Sequence, residues 1–177
     1  MTRIFGMVML ALAALALPAA GRAQDAREAE PVCVMAAPPP PELVGWAARV
    51  PLAAAVNTRG LAKAALVVGA AIDATLQPIG KVRYVAKPEK PGKADSYGGL
   101  YVLVVTRPGT YRIALGDGAW IDLLKGKKPI ASTAHGHGPI CTGIRKMVDF
   151  PLERGRHVLQ IAGSPGSTIP VMVARLP

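Results

Sequence analysis

The sequence predicts an all-β domain, an antiparallel β-sandwich or jelly roll, behind a signal peptide and a proline-rich tether. Three observations predict it. From Leu61 onward, short apolar runs recur at intervals of about ten residues, each bounded by Gly, Pro, Asp or Asn. Several runs alternate apolar and polar side chains, the period of a strand with one buried face. Only the Ala-rich start of the first run hints at a 3.6-residue period, and no internal repeat is present.

The elements follow in chain order. Arg3 supplies one positive charge, Ile4 to Leu17 is unbroken and apolar, and Pro18 ends the run. Gly21-Arg22-Ala23 then sets small residues three and one positions before a cut. This order of charged, apolar and small residues marks a secretory signal over residues 1–23. An uncleaved anchoring helix is the alternative, but the run falls short of the about 20 residues that span a bilayer. No second run of that length follows, so no transmembrane segment is expected. Cys33 follows Glu30-Pro31-Val32, which is not the small-residue setting of a lipid-modified cysteine. The expected location is periplasmic or secreted.

Removing 23 residues from 177 leaves 154, enough for one domain with a real core. Arg3 and Arg22 leave with the signal, so 21 basic residues become 19 against 11 acidic ones. The net charge falls from +10 to +8. Such a balance attracts anionic surfaces. Outside the cytoplasm these are lipid headgroups, polysaccharides and wall polymers. The expected partner is an anionic envelope component or an envelope protein, and the compartment argues against nucleic acid. Lys125, Lys127 and Lys128 form the one tight basic cluster, with Arg145-Lys146 as a second pair; the other reading is a solvated surface.

Cys33 and Cys141 are the two cysteines, and an exported chain with an even count is expected to pair them. Closing a loop of roughly 100 residues stabilises by about 4–5 kcal/mol in the chain-entropy treatment. The rival reading leaves Cys141 free as a metal ligand or nucleophile.

Residues 24–42 read as a tether. Gln24 to Glu30 is polar, and the run Pro38 to Pro41 favours extended polyproline II. The domain then covers residues 43–177. Leu43 to Val50 could form a short helix or a first strand around Trp46, and Leu52 to Ala55 is too brief to assign. Strands are expected near Ala64–Val68, Ala71–Leu76, Lys81–Val85, Leu100–Thr106, Thr110–Leu115, Trp120–Leu124, Lys146–Leu152, His157–Ala162 and Ile169–Ala174. Tyr111, Ile113 and Leu115 share one face, as do Val148, Phe150 and Leu152, and Ile169, Val171 and Val173. Leu100 to Val105 is apolar on both faces and suits a central strand. Arg107-Pro108-Gly109-Thr110, Gly116-Asp117-Gly118 and Arg154-Gly155-Arg156 supply turns.

Gly109 to Leu115, with Leu152 to Ile161, resembles secreted β-sandwich modules of the pre-peptidase C-terminal type. There, G-T-Y and L-x-x-G-x-Y-x-L-x-V mark two strands, and His157 stands where that pattern has an aromatic. Tyr97 to Val173 also resembles short exported bacterial proteins of unestablished activity, sometimes labelled homogentisate 1,2-dioxygenase. True homogentisate dioxygenases are much longer cytosolic enzymes, so the resemblance implies a fold and not that activity.

One segment could carry chemistry: His135-Gly136-His137-Gly138-Pro139-Ile140-Cys141. In an extended chain His135 and His137 point to one side and could reach one ion. Imidazole suits iron, zinc and copper. The spacing resembles the first cupin motif, H-x-H-x(3,4)-E, with Cys141 at the glutamate position. Pro129 stands where that motif has glycine, and the second cupin motif is not met. Asp149 and His157 are the first candidates for a third donor, with Asp122 and Glu153 behind them. The alternative is a polar loop whose histidines bond to backbone or water. Trp46 or Trp120 could stack on a sugar ring; the leading reading is a tryptophan of the core or its rim. Of the two, Trp120 is the candidate ligand-binding residue. No nucleophile elbow, phosphate loop or calcium loop is present. The leading expectation is a non-enzymatic exported binding or accessory module, the alternative a metal-dependent protein of cupin type.

Overall fold

Along each long strand alternate residues part onto opposite faces, and this sorting builds two sheets around one core. The computed structural model describes residues 33–177, so the signal segment 1–23 and residues 24–32 of the tether lie outside the described residues. Twelve strands form among the described residues. They are β1 (Arg49–Ala53), β2 (Ala65–Leu66), β3 (Ala71–Thr75), β4 (Gln77–Pro78), β5 (Tyr97–Val105) and β6 (Gly109–Leu115). The rest are β7 (Trp120–Lys125), β8 (Lys128–Ile130), β9 (Ala134–Gly136), β10 (Lys146–Leu152), β11 (Gly155–Ser164) and β12 (Thr168–Arg175). The first sheet runs β1-β3-β12-β6-β10-β9 and the second β2-β5-β11-β7-β8, with β4 also against β5.

The result is an all-β sandwich, with one correction to the expected strand directions. The sheets are mixed, because β1 runs parallel to β3 and β2 parallel to β5. Parallel neighbours need a crossover of a dozen or more residues. Residues 54–70 and 67–96 provide those lengths.

The three alternating triplets expected to share faces do so. Tyr111, Ile113 and Leu115 of β6, Val148, Phe150 and Leu152 of β10, and Ile169, Val171 and Val173 of β12 are buried in the main core. Tyr101, Leu103, Leu123, Leu159 and Ile161 join them from the second sheet. β5 is buried from Gly98 to Leu103, as suits a strand with neighbours on both sides, and Val104 returns to solvent.

The strand expected at Lys81–Val85 is absent. Its place is taken by a 3₁₀ turn, Ile79–Lys81, and an irregular segment to residue 96. The segment is held by side-chain bonds instead of a ladder. The Tyr84 hydroxyl donates to the Ile161 carbonyl at 2.9 Å, and the Val85 and Ala86 amides both donate to Gln160 Oε1. Burial, reinforced by the Asp122 charge, pushes the Tyr84 hydroxyl up to about 12.

From Cys33 onward the segment read as a tether is fixed to the first sheet. Cys33 and Cys141 form the expected disulfide, with Cα atoms 5.4 Å apart, so Cys141 is not free. The Ala37 amide donates to the Cys141 carbonyl at 2.8 Å. A 3₁₀ helix, Pro41–Ala47, then buries Leu43 and Trp46 against Ala71, Ala114, Met172 and Ala174. These are the residues between the core-facing ones on β3, β6 and β12, so they lie on the opposite face of the sheet. Burying two such side chains contributes on the order of 3–6 kcal/mol before entropy. Gly45 permits the approach, since a Cβ there would stand 2.7 Å from the Gly69 carbonyl oxygen.

Glu42, on this strap, completes an ion cluster. Arg112 on β6 faces Asp149 on β10 in register. Its Nε and Nη2 donate to the two Asp149 carboxylate oxygens, each at 2.8 Å, and its Nη1 donates to Glu42. The bidentate fork is the strong form of this pair. Nearby, Arg49 bridges Asp73 at 2.9 Å and the Trp46 carbonyl at 3.0 Å.

Candidate open-edge groove

β8 ends the second sheet and β9 ends the first, and residues 131–133 join them. Both strands are three residues long, and Pro129 removes a donor from β8. The sandwich is therefore not sealed along this side. A groove of about 630 Å³ opens there, with Ile121, Ile130, Val148 and Phe150 in its lining. Its polar lining is Glu89, Lys90, Trp120, Asp122, Ser132, His135 and Lys146. A smaller pocket of about 370 Å³ adjoins it across Pro129 and Ile130, lined also by Lys125, Glu153 and His157.

Trp120 is one of the residues that line the groove. Its indole N–H donates to Asp122 Oδ1 at 2.8 Å, a bond between neighbours on one face of β7. Asp122 Oδ2 is buried with no donor. The Lys90 ammonium lies 4.6 Å and the Lys146 ammonium 5.1 Å from the ring centroid. Each such contact contributes about 0.5–2 kcal/mol, the larger value when desolvated. Lys146 also donates to the Ala119 carbonyl at 2.9 Å. Neither lysine has a carboxylate within ion-pair distance among the described residues. Burial holds the Lys146 ammonium below its ordinary pKa, and the neighbouring Lys90 charge lowers it further.

The histidine constellation does not assemble. His135, on β9 opposite Val148, lines the groove. His137 lies past the end of β9, so the extended geometry that would align the pair ends between them. Its Nδ1 is 3.1 Å from the Arg145 carbonyl oxygen, a bond that holds the ring to the loop backbone. Asp149 is held by Arg112 on the strapped face, the side of the sheet away from Val148 and the groove. His157 is fully buried on β11 of the second sheet. Its Nδ1 donates to the Gly155 carbonyl at 3.2 Å, and its Nε2 is buried without a partner. Burial lowers the His157 pKa, the largest of its influences. Among the described residues no three His, Cys, Asp or Glu side chains converge to hold a metal ion. Cys141, at the cupin glutamate position, is closed in the disulfide.

Trp120, the candidate ligand-binding residue from the sequence, thus lines the groove. Lys90 and Lys146 were not singled out as site residues. They lie 30 residues before and 26 after Trp120, and no local spacing links them. The irregular segment before β5 and the start of β10 bring them to the ring.

Together these features make a disulfide-strapped β-sandwich with a groove at its open edge, lined by Trp120, two lysines and two carboxylates. No family model matches the chain, and no curated protein matches its sequence. No helix among the described residues is long and apolar enough to cross a membrane.

Proposed function

We propose that the protein is an exported, periplasmic or secreted, binding or accessory module of the cell envelope that takes an anionic component in the open-edge groove. One observation carries this reading: two lysines meet on one tryptophan ring with no carboxylate paired to either among the described residues. Like charges placed together cost free energy, and an anion bound between them removes that cost. The positive balance of the chain adds long-range attraction for the same class of ligand. The disulfide suits an oxidising compartment. The two lysines on the ring support capture of an anion as the reading.

The test is calorimetric titration of the purified protein with four polyanions: dextran sulfate, polygalacturonate, polyphosphate and phosphatidylglycerol vesicles. At least one is expected to bind saturably. Its affinity should fall as salt rises and fall at least about tenfold in Lys90→Gln/Lys146→Gln, about 1.4 kcal/mol. No saturable binding by any of the four, or binding unchanged in the double variant, overturns the reading.

A further inference from the structure

The groove's lining is not that of a site for phosphate or a lipid headgroup alone. Beside the two lysines stand the carboxylates of Glu89 and Asp122, which line the same groove and pair with neither lysine. A ligand made only of negative groups would meet repulsion from both. A ligand that also carries hydroxyl groups would give those carboxylates donors, since an ionised carboxylate only accepts. The third feature is the ring. A flat π-face favours the weakly polarised C–H face of a saturated ring, and an extended acyl chain gains nothing from its flatness. The volume of about 630 Å³ lies in the range of sites that enclose drug-sized ligands, well beyond a lone phosphate.

Resting on the reading above, we propose that the ligand is a carboxylate-bearing saccharide, a hexuronic acid chain with one sugar ring on Trp120 and its carboxylate held by Lys90 and Lys146. Lys90 covers the ring in the unliganded protein. It lies on the exposed segment before β5 and makes no hydrogen bond or ion pair among the described residues. An arriving sugar takes its place on the ring while the ammonium follows the carboxylate. The exchange gives up a cation–π contact for a charge-assisted hydrogen bond and a stacked ring. Lys146 stays anchored by the Ala119 carbonyl and fixes the position of the charge. The Glu89 side chain accepts from the sugar hydroxyls, and Asp122 holds the indole through its N–H.

The experiment compares an oligogalacturonate with the same oligomer fully methyl-esterified, and with polyphosphate and phosphatidylglycerol vesicles. The proteins are wild type, Trp120→Ala, Trp120→Phe and Lys90→Gln/Lys146→Gln. Thermal unfolding and non-reducing mass confirm that each variant is folded. The acidic oligomer is expected to bind wild type at least about tenfold more tightly than its ester. Trp120→Ala should lose at least about tenfold, Trp120→Phe should lose less, and the lysine double variant should bind the acid no better than the ester. Equal binding of acid and ester overturns the proposal. So does polyphosphate or vesicle binding that depends on the lysines and is indifferent to Trp120; that result leaves the anionic groove standing. Loss of lysine-dependent binding to every anion overturns both.

Discussion

The strapped face and the open edge treat buried and half-buried charge in opposite ways. On the strapped face Arg112 meets two carboxylates, one from the neighbouring strand and one from the strap, and Arg49 meets Asp73. Each cation there is matched by an anion from another part of the same chain. At the open edge two cations share one ring and the nearby carboxylates are not paired with them. The matched cluster fixes the position of the strap and is complete without another molecule. The unmatched cluster is held by the ring and the Ala119 carbonyl, but its two like charges have no anion within ion-pair distance among the described residues. Pairing belongs to folding in the first region, and on the proposed reading it is left to binding in the second.

The sharpest way to break that comparison is to cut the strap. Cys33→Ser/Cys141→Ser opens a loop with a sequence separation of 108. The expected loss is about 4–5 kcal/mol in the chain-entropy treatment. Thermal unfolding should fall by on the order of 10 °C or more in a domain of this size. Groove binding in the surviving folded protein should be unchanged, because the strap and the groove use opposite faces of the first sheet. A double variant as stable as wild type would show that the strap is not held by its bridge.

Arg112→Met comes next. It leaves Glu42 and Asp149 facing one another without their cation, both under one-fifth exposed. Breaking one side of such a cluster costs about 2–4 kcal/mol. Replacing all three members together, Arg112→Met/Glu42→Leu/Asp149→Leu, should cost far less, since no unpaired charge then remains. Urea unfolding of the two variants measures the difference, and equal losses would mean that the cluster is not acting as a unit.

A smaller effect is expected at His157. Its folded-state pKa lies below the ordinary value, so the folded protein binds fewer protons than the unfolded chain once the pH drops below about 6.5. Stability therefore declines as pH falls from there towards the folded-state pKa. His157→Gln removes this contribution, so the stability gap between variant and wild type should shift in the variant's favour from pH 7 to pH 5. A gap that is constant across that range contradicts the assignment.

The smallest effect marks the groove itself. Lys146→Ala removes a like-charged neighbour of Lys90, along with one cation–π contact and one hydrogen bond to a carbonyl. These contributions oppose one another, and the expected change in stability is within about 0.5 kcal/mol, against several for Arg112. A loss as large as that of Arg112→Met would make Lys146 a structural residue and erase the contrast.

Much of the sandwich was legible because its long strands obey period two. β6, β10 and β12 each announce their core face by three alternating apolar residues. The disulfide was legible from the cysteine count and the signal segment alone. Lys81–Val85 misled because it has the same alternation. Val82 and Tyr84 are indeed turned inward and pack against the main core, but without a ladder, between Pro78 and Pro88. β1 was divided between the open helix-or-strand reading of Leu43–Val50 and the run Leu52–Ala55, too brief to assign, because Pro51 interrupts Arg49–Ala53. β8 and β9 were too short to carry a period. The histidine pair drew attention because its members are adjacent in sequence, whereas Lys90, Trp120 and Lys146 are neighbours only after folding. Sequence spacing reports sites built on one element; this one is built on three.

On the proposed reading the open edge is the binding surface and the strapped face is closed. The two tryptophans test it directly, since Trp46 is buried between the strap and the first sheet and Trp120 lines the groove. Their two indole N–H signals can be followed separately by NMR while the protein is titrated with oligogalacturonate. The Trp120 signal should move and saturate along with the Lys146 amide, and the Trp46 signal should stay in place. Movement of Trp46 with Trp120 unmoved, or no movement of either at saturating oligomer, would contradict the account.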